Sequence, residues 1–267
     1  MSAQFAYAQW PWGTETKEQF IQSCKDLSDV GFKYFESVKT FIDTFIDDIA
    51  GFKAIADEYD LRPISFYFHL TGDHATDISE LKRKIGFVQA NGIQTISVQG
   101  VWSPIPATED DLRYALKTIV DYGEICKDYG VLPCVHPHHN TTIMYEREID
   151  FIMQNTDPKL IAFGPDTAHL SAGKCDPVKI FERYKERIRF THLKDLKGAL
   201  RGGGMQDGVE VYENFRELGE GDIDFGAVFE VLRSVNYDGY LCAELDRSRF
   251  GNKESAAINM KYLKEHW

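Results

Sequence analysis

His136, Asp166, His192 and Glu244 each stand where a short apolar run stops, and two imidazoles with two carboxylates are the donors of a mononuclear metal site. Leu132-Pro133-Cys134-Val135 stops at His136, and Leu160-Ile161-Ala162-Phe163 runs into Asp166. Ile188-Arg189-Phe190-Thr191 stops at His192, and Tyr240-Leu241-Cys242-Ala243 stops at Glu244. Earlier runs end in the same way at Glu36, His69 and Gln99. If the runs are strands of one sheet, Asp166, His192 and Glu244 terminate consecutive strands. Neighbouring strands lie about 4.8 Å apart, so the three side chains can converge on one ion. A mixed carboxylate and imidazole shell suits Mn²⁺, Co²⁺, Fe²⁺ or Zn²⁺ without choosing among them. With no thiolate donors, a catalytic ion is favoured over a structural zinc.

The elements that would position these residues are legible as a rhythm. Short apolar runs alternate with longer stripes at helical spacing, the pattern of βα units winding a parallel sheet. Polar residues at the carboxyl ends of several strands are where a (β/α)8 TIM barrel keeps its chemistry. The 267 residues match the roughly 250 that such a barrel needs, and no linker or composition break divides them, so one domain over 1–267 is expected. Helices are predicted from Thr14 to Gly31, through Phe41, Phe45, Phe52 and Ala56, and over 77–91, 109–129, 146–154, 177–183, 225–235 and 253–266. The longest irregular stretch, Lys194 to Gly221, contains Arg201-Gly202-Gly203-Gly204. Lacking a Walker pattern and a following helix, it reads as a mobile loop over the mouth rather than a phosphate cradle.

Bulk properties exclude other classes. Lys plus Arg number 30 against 42 Asp plus Glu, and the net charge of −12 works against nucleic acid or any other polyanionic partner. Cys24, Cys126, Cys134, Cys175 and Cys242 are scattered without a CxxC, as expected of free thiols in a reducing compartment. No run approaches the roughly 18 apolar residues of a membrane span, and the N-terminal stretch lacks a basic flank. A cytoplasmic protein without membrane partners is expected, with homo-oligomerisation left open.

Five motifs occur in order: Asp166-Thr167-Ala168-His169, Ala172-Gly173-x-x-Asp176-Pro177, Arg187-Ile188-x-Phe190-Thr191-His192-Leu193-Lys194-Asp195, Leu218-Gly219-Glu220-Gly221-Asp222-Ile223-Asp224-Phe225 and Gly239-Tyr240-x-x-x-Glu244-x-Asp246. Together they resemble the sugar phosphate isomerase/epimerase superfamily, the xylose-isomerase-like barrels. They cover the second half densely, whereas the first half matches only in its βα rhythm. The resemblance implies one divalent ion held by a strand-five ligand, Asp166, His192 and Glu244, with His169 meeting the substrate. Many members place a Glu at the end of strand five. Here His136 stands there, followed by His138 and His139, a variant similar to the inosose-dehydratase-like branch. The strand-five ligand is thus open between His136, His138 and a later carboxylate, Glu146, which has a rival reading as a first-turn residue favoured by the helix dipole.

Other mouth residues have lighter roles. Trp10 and Trp102 would wall a sugar ring; Glu36, His69 and Gln99 would hydrogen-bond hydroxyls. Lys194 would polarise a carbonyl or meet a phosphate, with a salt bridge to Asp195 as its rival. The substrate this set suits is a small sugar or cyclitol carrying a ketone next to a carbinol. The ion would act as Lewis acid and template. A carboxylate, Glu244 first and Glu146 as the other candidate, would take the α-proton to give an enediolate. Returning the proton isomerises or epimerises, and losing a β-hydroxyl dehydrates. The expected activity is a metal-dependent keto-sugar isomerase or epimerase, manganese being one candidate ion, with an inosose-type dehydratase (a lyase) as the alternative. The missing strand-five Glu works against a two-carboxylate epimerase. An abasic-site endonuclease and a non-catalytic sugar-binding barrel fit less well.

Overall fold

Period-two alternation sorts each strand's residues onto two sides, and in this computed structural model, which describes residues 3–267, it closes a barrel. The parallel strands are β1 (Gln4–Ala8), β2 (Tyr34–Val38), β3 (Arg62–His69), β4 (Thr95–Gln99), β5 (Leu132–His136), β6 (Ala162–Phe163), β7 (Phe190–Leu193) and β10 (Tyr240–Ala243). Between β7 and β10 lies a short antiparallel pair, β8 (Asp195–Leu196) and β9 (Phe215–Arg216). The sheet order is β6-β5-β4-β3-β2-β1-β10-β7, and the parallel bridges Phe163↔Ile188 and Asp166↔His192 join its two edges. Closure therefore happens at Asp166 and His192 themselves. Inside, mainly small residues fit the narrow lumen: Ala6, Ala8, Cys134, Ala162 and Cys242 cluster with Ile64 and Phe190. Phe35, Phe66, Phe68, Val98, Val135 and Leu241 face the surrounding helices.

Local chemistry sets the helix ends. Helix α1 (Lys17–Val30) begins at a Thr16/Gln19 capping box, not at Thr14, and ends at Gly31, whose φ of 102° suits glycine. The single helix expected through Phe41 and Ala56 is two, α2 (Lys39–Phe45) and α3 (Ile49–Glu58), because the Asp48 side chain accepts the Gly51 N–H and starts a new helix. Helix α4 (His74–Ala90) is capped by Asp73 and starts three residues upstream of the predicted start. α5 (Glu109–Lys127), α6 (Glu146–Gln154), α8 (Pro177–Tyr184), α9 (Phe225–Ser234) and α10 (Asn252–His266) follow the expected spans closely. The unexpected element is α7 (Thr167–Ala172), capped by Asp166. Rings of Phe20, Phe35, Phe41, Phe45 and Phe52 pack together, with Phe20 and Phe52 stacked at 4.9 Å. All five cysteines are free and buried, and among the described residues no helix is long and apolar enough to cross a membrane.

The stretch 194–221 is pinned rather than featureless. Asp195 accepts backbone N–H groups from Leu196, Gly219, Gly221 and Ile223. Gly219 has a φ of +84°, and a Cβ at Gly221 would lie 2.3 Å from Asp195 Oδ1. The Leu218–Phe225 motif is therefore a cradle for one carboxylate. Buried Glu217 ties the same stretch to the α10 side through Ser255 and Arg249.

Candidate active site

Strand parity sends Glu36, His136, His192 and Glu244 to the lumen side, and Asp166 reaches the same space as the N-cap of α7. All five are buried. The Asp166 Oδ1 accepts the His169 N–H at 2.7 Å, while its Oδ2 has no hydrogen-bond partner. His192 Nε2 is hydrogen-bonded to Glu36 Oε2. Its Nδ1 lies 3.2 Å from His136 Nδ1 and 3.6 Å from Glu244 Oε2. His136 Nδ1 also lies 3.1 Å from the Gly164 carbonyl.

Lys194 is the charge hub. Its buried Nζ donates to Glu244 Oε1 at 2.6 Å and Asp246 Oδ2 at 2.9 Å, and sits 3.1 Å from His169 Nε2 and 3.7 Å from Asp166 Oδ2. The Phe215 ring covers it at 4.3 Å. Its rival partner, Asp195, is not used: successive residues of an extended chain face opposite ways, and Asp195 turns into its cradle. Burial opposes the Lys194 charge, but Asp166, Asp246 and Glu244 overcome it and raise its pKa. Burial likewise opposes ionisation of Glu244, yet Lys194 and His192 hold it down at about 2. Asp166 goes the other way, pushed up to about 8 by burial, with the Glu244 charge adding to it.

His138 packs its ring against His169 at 3.6 Å, and its Nδ1 donates to the His139 carbonyl at 2.7 Å. Beside them opens a cavity of about 170 Å³, lined by Trp10, Tyr67 and Trp102 and by His136, His138, Gln99, Glu244 and Asp246. Trp10 packs edge-on to His192 at 5.7 Å, and half-exposed Trp102 edge-on to His138 at 4.9 Å. Tyr212 and Phe215 of the pinned stretch approach His169 at 6.4 and 5.2 Å between ring centres.

Three expected site residues lie elsewhere or differently. Glu146 is the first residue of α6 and pairs at 2.6 Å with Arg183, half-exposed on the outside. A helix start turns that side chain outward, and the buried carboxylate of the turn is Glu148, which accepts the Ala107, Met144 and Tyr145 N–H groups. His69 lines a separate surface groove with Lys39 and Glu80, because Tyr67 and Gln99, hydrogen-bonded to each other, take the inward place. Glu36 lies beneath the cavity, both oxygens engaged by Ser97 and His192, and has none free for a substrate hydroxyl. The structure brings four further side chains to the cavity or to His169: Tyr67 and Asp246, which line it, and Tyr212 and Phe215, which pack on the His169 ring. Only Asp246 carried a signal, the Glu244-x-Asp246 spacing.

The donors fit a cation. His136, Asp166 and His192 offer ligand atoms all within 4.8 Å of one another, as do Asp166, His169 and Glu244 and, deeper in the barrel, Glu36, His192 and Cys242, and Asp166 Oδ2 is buried without a hydrogen-bond partner. His138 and Glu146 are in none of these three groups.

A sequence profile described as xylose isomerase-like TIM barrel matches residues 24–266. An inosose dehydratase from Lactiplantibacillus plantarum is 32% identical over 171 residues, covering 60% of this chain and 55% of its own. One from Clostridium tetani is 30% identical over 202 residues, covering 72% and 68%. This chain thus spans little more than half of the first relative and about two thirds of the second. A crystal structure of D-allulose 3-epimerase from Methylomonas sp. superimposes with a TM-score of 0.80 over 100% of this chain and 98% of that one, at 16% identity. The IOLI protein with a bound zinc atom gives 0.77 over 99% of each, at 13% identity. These two likenesses establish the shared fold.

Proposed function

The chain belongs to the xylose isomerase-like TIM barrel family, and on that premise we propose that it is a divalent-metal-dependent dehydratase acting on a keto-cyclitol or related keto-sugar. His136, Asp166, His192 and Glu244 would hold the ion. When bound, the ion supplies Lewis-acid polarisation of the substrate carbonyl and a template for the adjacent hydroxyl.

One observation weighs against epimerisation, and the likeness to proteins named inosose dehydratase favours dehydration over isomerisation. The carboxylates of the site, Asp166, Glu244 and Asp246, come from the β6 and β10 ends, whereas the β5 end presents only His136 and His138. Exchange of a proton between two faces needs a base on each, and Glu146, the carboxylate that could stand opposite, points away to Arg183. A single carboxylate suffices for elimination. Glu244 takes the proton α to the carbonyl, the C–H pair forms the new C=C bond, the β C–O bond breaks, and the proton passes to the departing hydroxyl, which leaves as water. Lys194 keeps Glu244 ionised and in place. His138 and His169, kept neutral chiefly by burial, accept hydrogen bonds without adding a positive charge. The roughly 30% identity to proteins named inosose dehydratase supports the same reading.

The test is a panel of inososes and keto-sugars incubated with metal-loaded protein in D₂O. The expected result is loss of one water and an enone absorbance, with Glu244→Gln slowing the reaction by about 10²–10⁴-fold. Metal content of that variant must be measured alongside. Deuterium uptake with every hydroxyl retained would assign an isomerase or epimerase instead. No exchange with any member would overturn the reading.

A further inference from the structure

We propose that Glu36 is a positioning residue: from the barrel interior it holds the tautomer and ring orientation of His192 so that Nδ1 is offered to the donor cluster. This rests on the reading of His192 as a metal ligand.

Glu36 is fully buried, as is His192, and the two are 156 residues apart in sequence. A carboxylate only accepts, so the contact to Glu36 Oε2 requires the His192 Nε2 to carry the hydrogen. The remaining nitrogen, Nδ1, is then the one with a lone pair, and it is the nitrogen that faces His136 Nδ1 at 3.2 Å and Glu244 Oε2 at 3.6 Å. Glu36 is itself fixed. Ser97 Oγ donates to its Oε1 at 2.8 Å, and Ser65 Oγ lies 3.4 Å from Ser97 Oγ. The chain Ser65, Ser97, Glu36, His192 therefore crosses from β3 through β4 and β2 to β7. Trp10 and Phe190 meet the His192 ring edge-on at 5.7 and 5.0 Å, blocking its rotation without supplying a hydrogen bond. Packing alone would leave the two tautomers to compete; Glu36 is the group that fixes the hydrogen on Nε2, whereas His136 and Glu244 face Nδ1. A carboxylate on the far nitrogen of a ligating imidazole commonly contributes 10–100-fold to metal affinity.

The experiment has two readouts. In metal-free full-length protein, at a pH where His192 carries one proton, ¹⁵N correlation spectra should show the Nε2–H tautomer. Glu36→Gln, which retains an accepting oxygen, should preserve it, and Glu36→Leu should give a mixture. In calorimetric titration with Mn²⁺ or Zn²⁺, Glu36→Leu should bind about 10–100-fold more weakly than wild type, and Glu36→Gln much closer to it. Should Glu36→Leu not fold, Ser97→Ala, which removes only the contact to Oε1, should weaken binding by a smaller factor. An Nδ1–H tautomer in wild type, or unchanged affinity in Glu36→Leu or in its substitute Ser97→Ala, overturns the proposal. If wild type binds no metal while His192 is the Nε2–H tautomer, the metal reading fails and the positioning of the ring stands.

Discussion

Protonation at the barrel mouth is decided by burial and by which charges face each group. Burial holds His136 and His169 well below the ordinary imidazole range and His138 at about 3, with Lys194 and neighbouring imidazoles adding to it. His192 is the exception: burial opposes its charge, but Glu36, Glu244 and Asp166 raise its pKa. Asp166 at about 8 holds a proton at neutral pH. A divalent ion binds neutral imidazole and ionised carboxylate, so it must displace the Asp166 proton, whereas burial already keeps His136 in its neutral form. The apparent affinity for Mn²⁺ or Zn²⁺ should therefore rise as pH approaches the Asp166 pKa of about 8, by up to about tenfold per pH unit for the one proton displaced. Calorimetry across that range reads it directly. His136→Ala should lower the affinity without flattening the slope, and a slope that vanishes in that variant would assign the displaced proton to His136.

At the scale of elements, the stretch that brings Tyr212 and Phe215 over the site depends on two buried carboxylates. Asp195 gathers four backbone N–H groups, and Glu217 joins Ser255 and Arg249. Burial opposes the Glu217 charge, but the Ser255 and Arg249 contacts hold its pKa below the usual carboxylate value. A pKa lower in the folded than in the unfolded state means a contribution fully present above the unfolded value, about 4.3, and lost as pH falls through the folded value. Glu217→Gln should accordingly cost about 1–3 kcal/mol in urea unfolding at pH 7. The difference from wild type should shrink below about pH 4, and an equal cost at both pH values would show that charge is not what the pair contributes.

Across the whole molecule the barrel separates stability from chemistry. The aromatic layer around Phe20, Phe35 and Phe52 lies between sheet and helices, on the opposite side of the strands from His136 and His192. Phe52→Ala should lower the unfolding free energy by about 3–5 kcal/mol, because the rings of Phe20, Phe35, Phe45, Phe66 and Phe87 pack on it and the space cannot collapse fully. The folded variant should keep wild-type metal affinity and deuterium exchange. A parallel loss of affinity would mean that the mouth leans on this layer.

What the sequence determined by itself is what repeats locally. Alternation of period two and 3.6 sets the βα order, and a polar residue at a strand end is recognisable from its own run, which is why Asp166, His192 and Glu244 could be placed on neighbouring strands. Helix boundaries followed caps, and failed where a closer competing cap existed, at Thr16 and Asp48. Only the tertiary structure decided partners. Glu36 meets His192 across 156 residues, Lys194 chooses Glu244 and Asp246 over its neighbour Asp195, and Glu146 turns to Arg183 on a helix start whose facing no local pattern encodes. Composition and spacing limit which groups can reach a barrel mouth, whereas the direction each side chain takes there depends on strands and loops brought together by closure of the sheet.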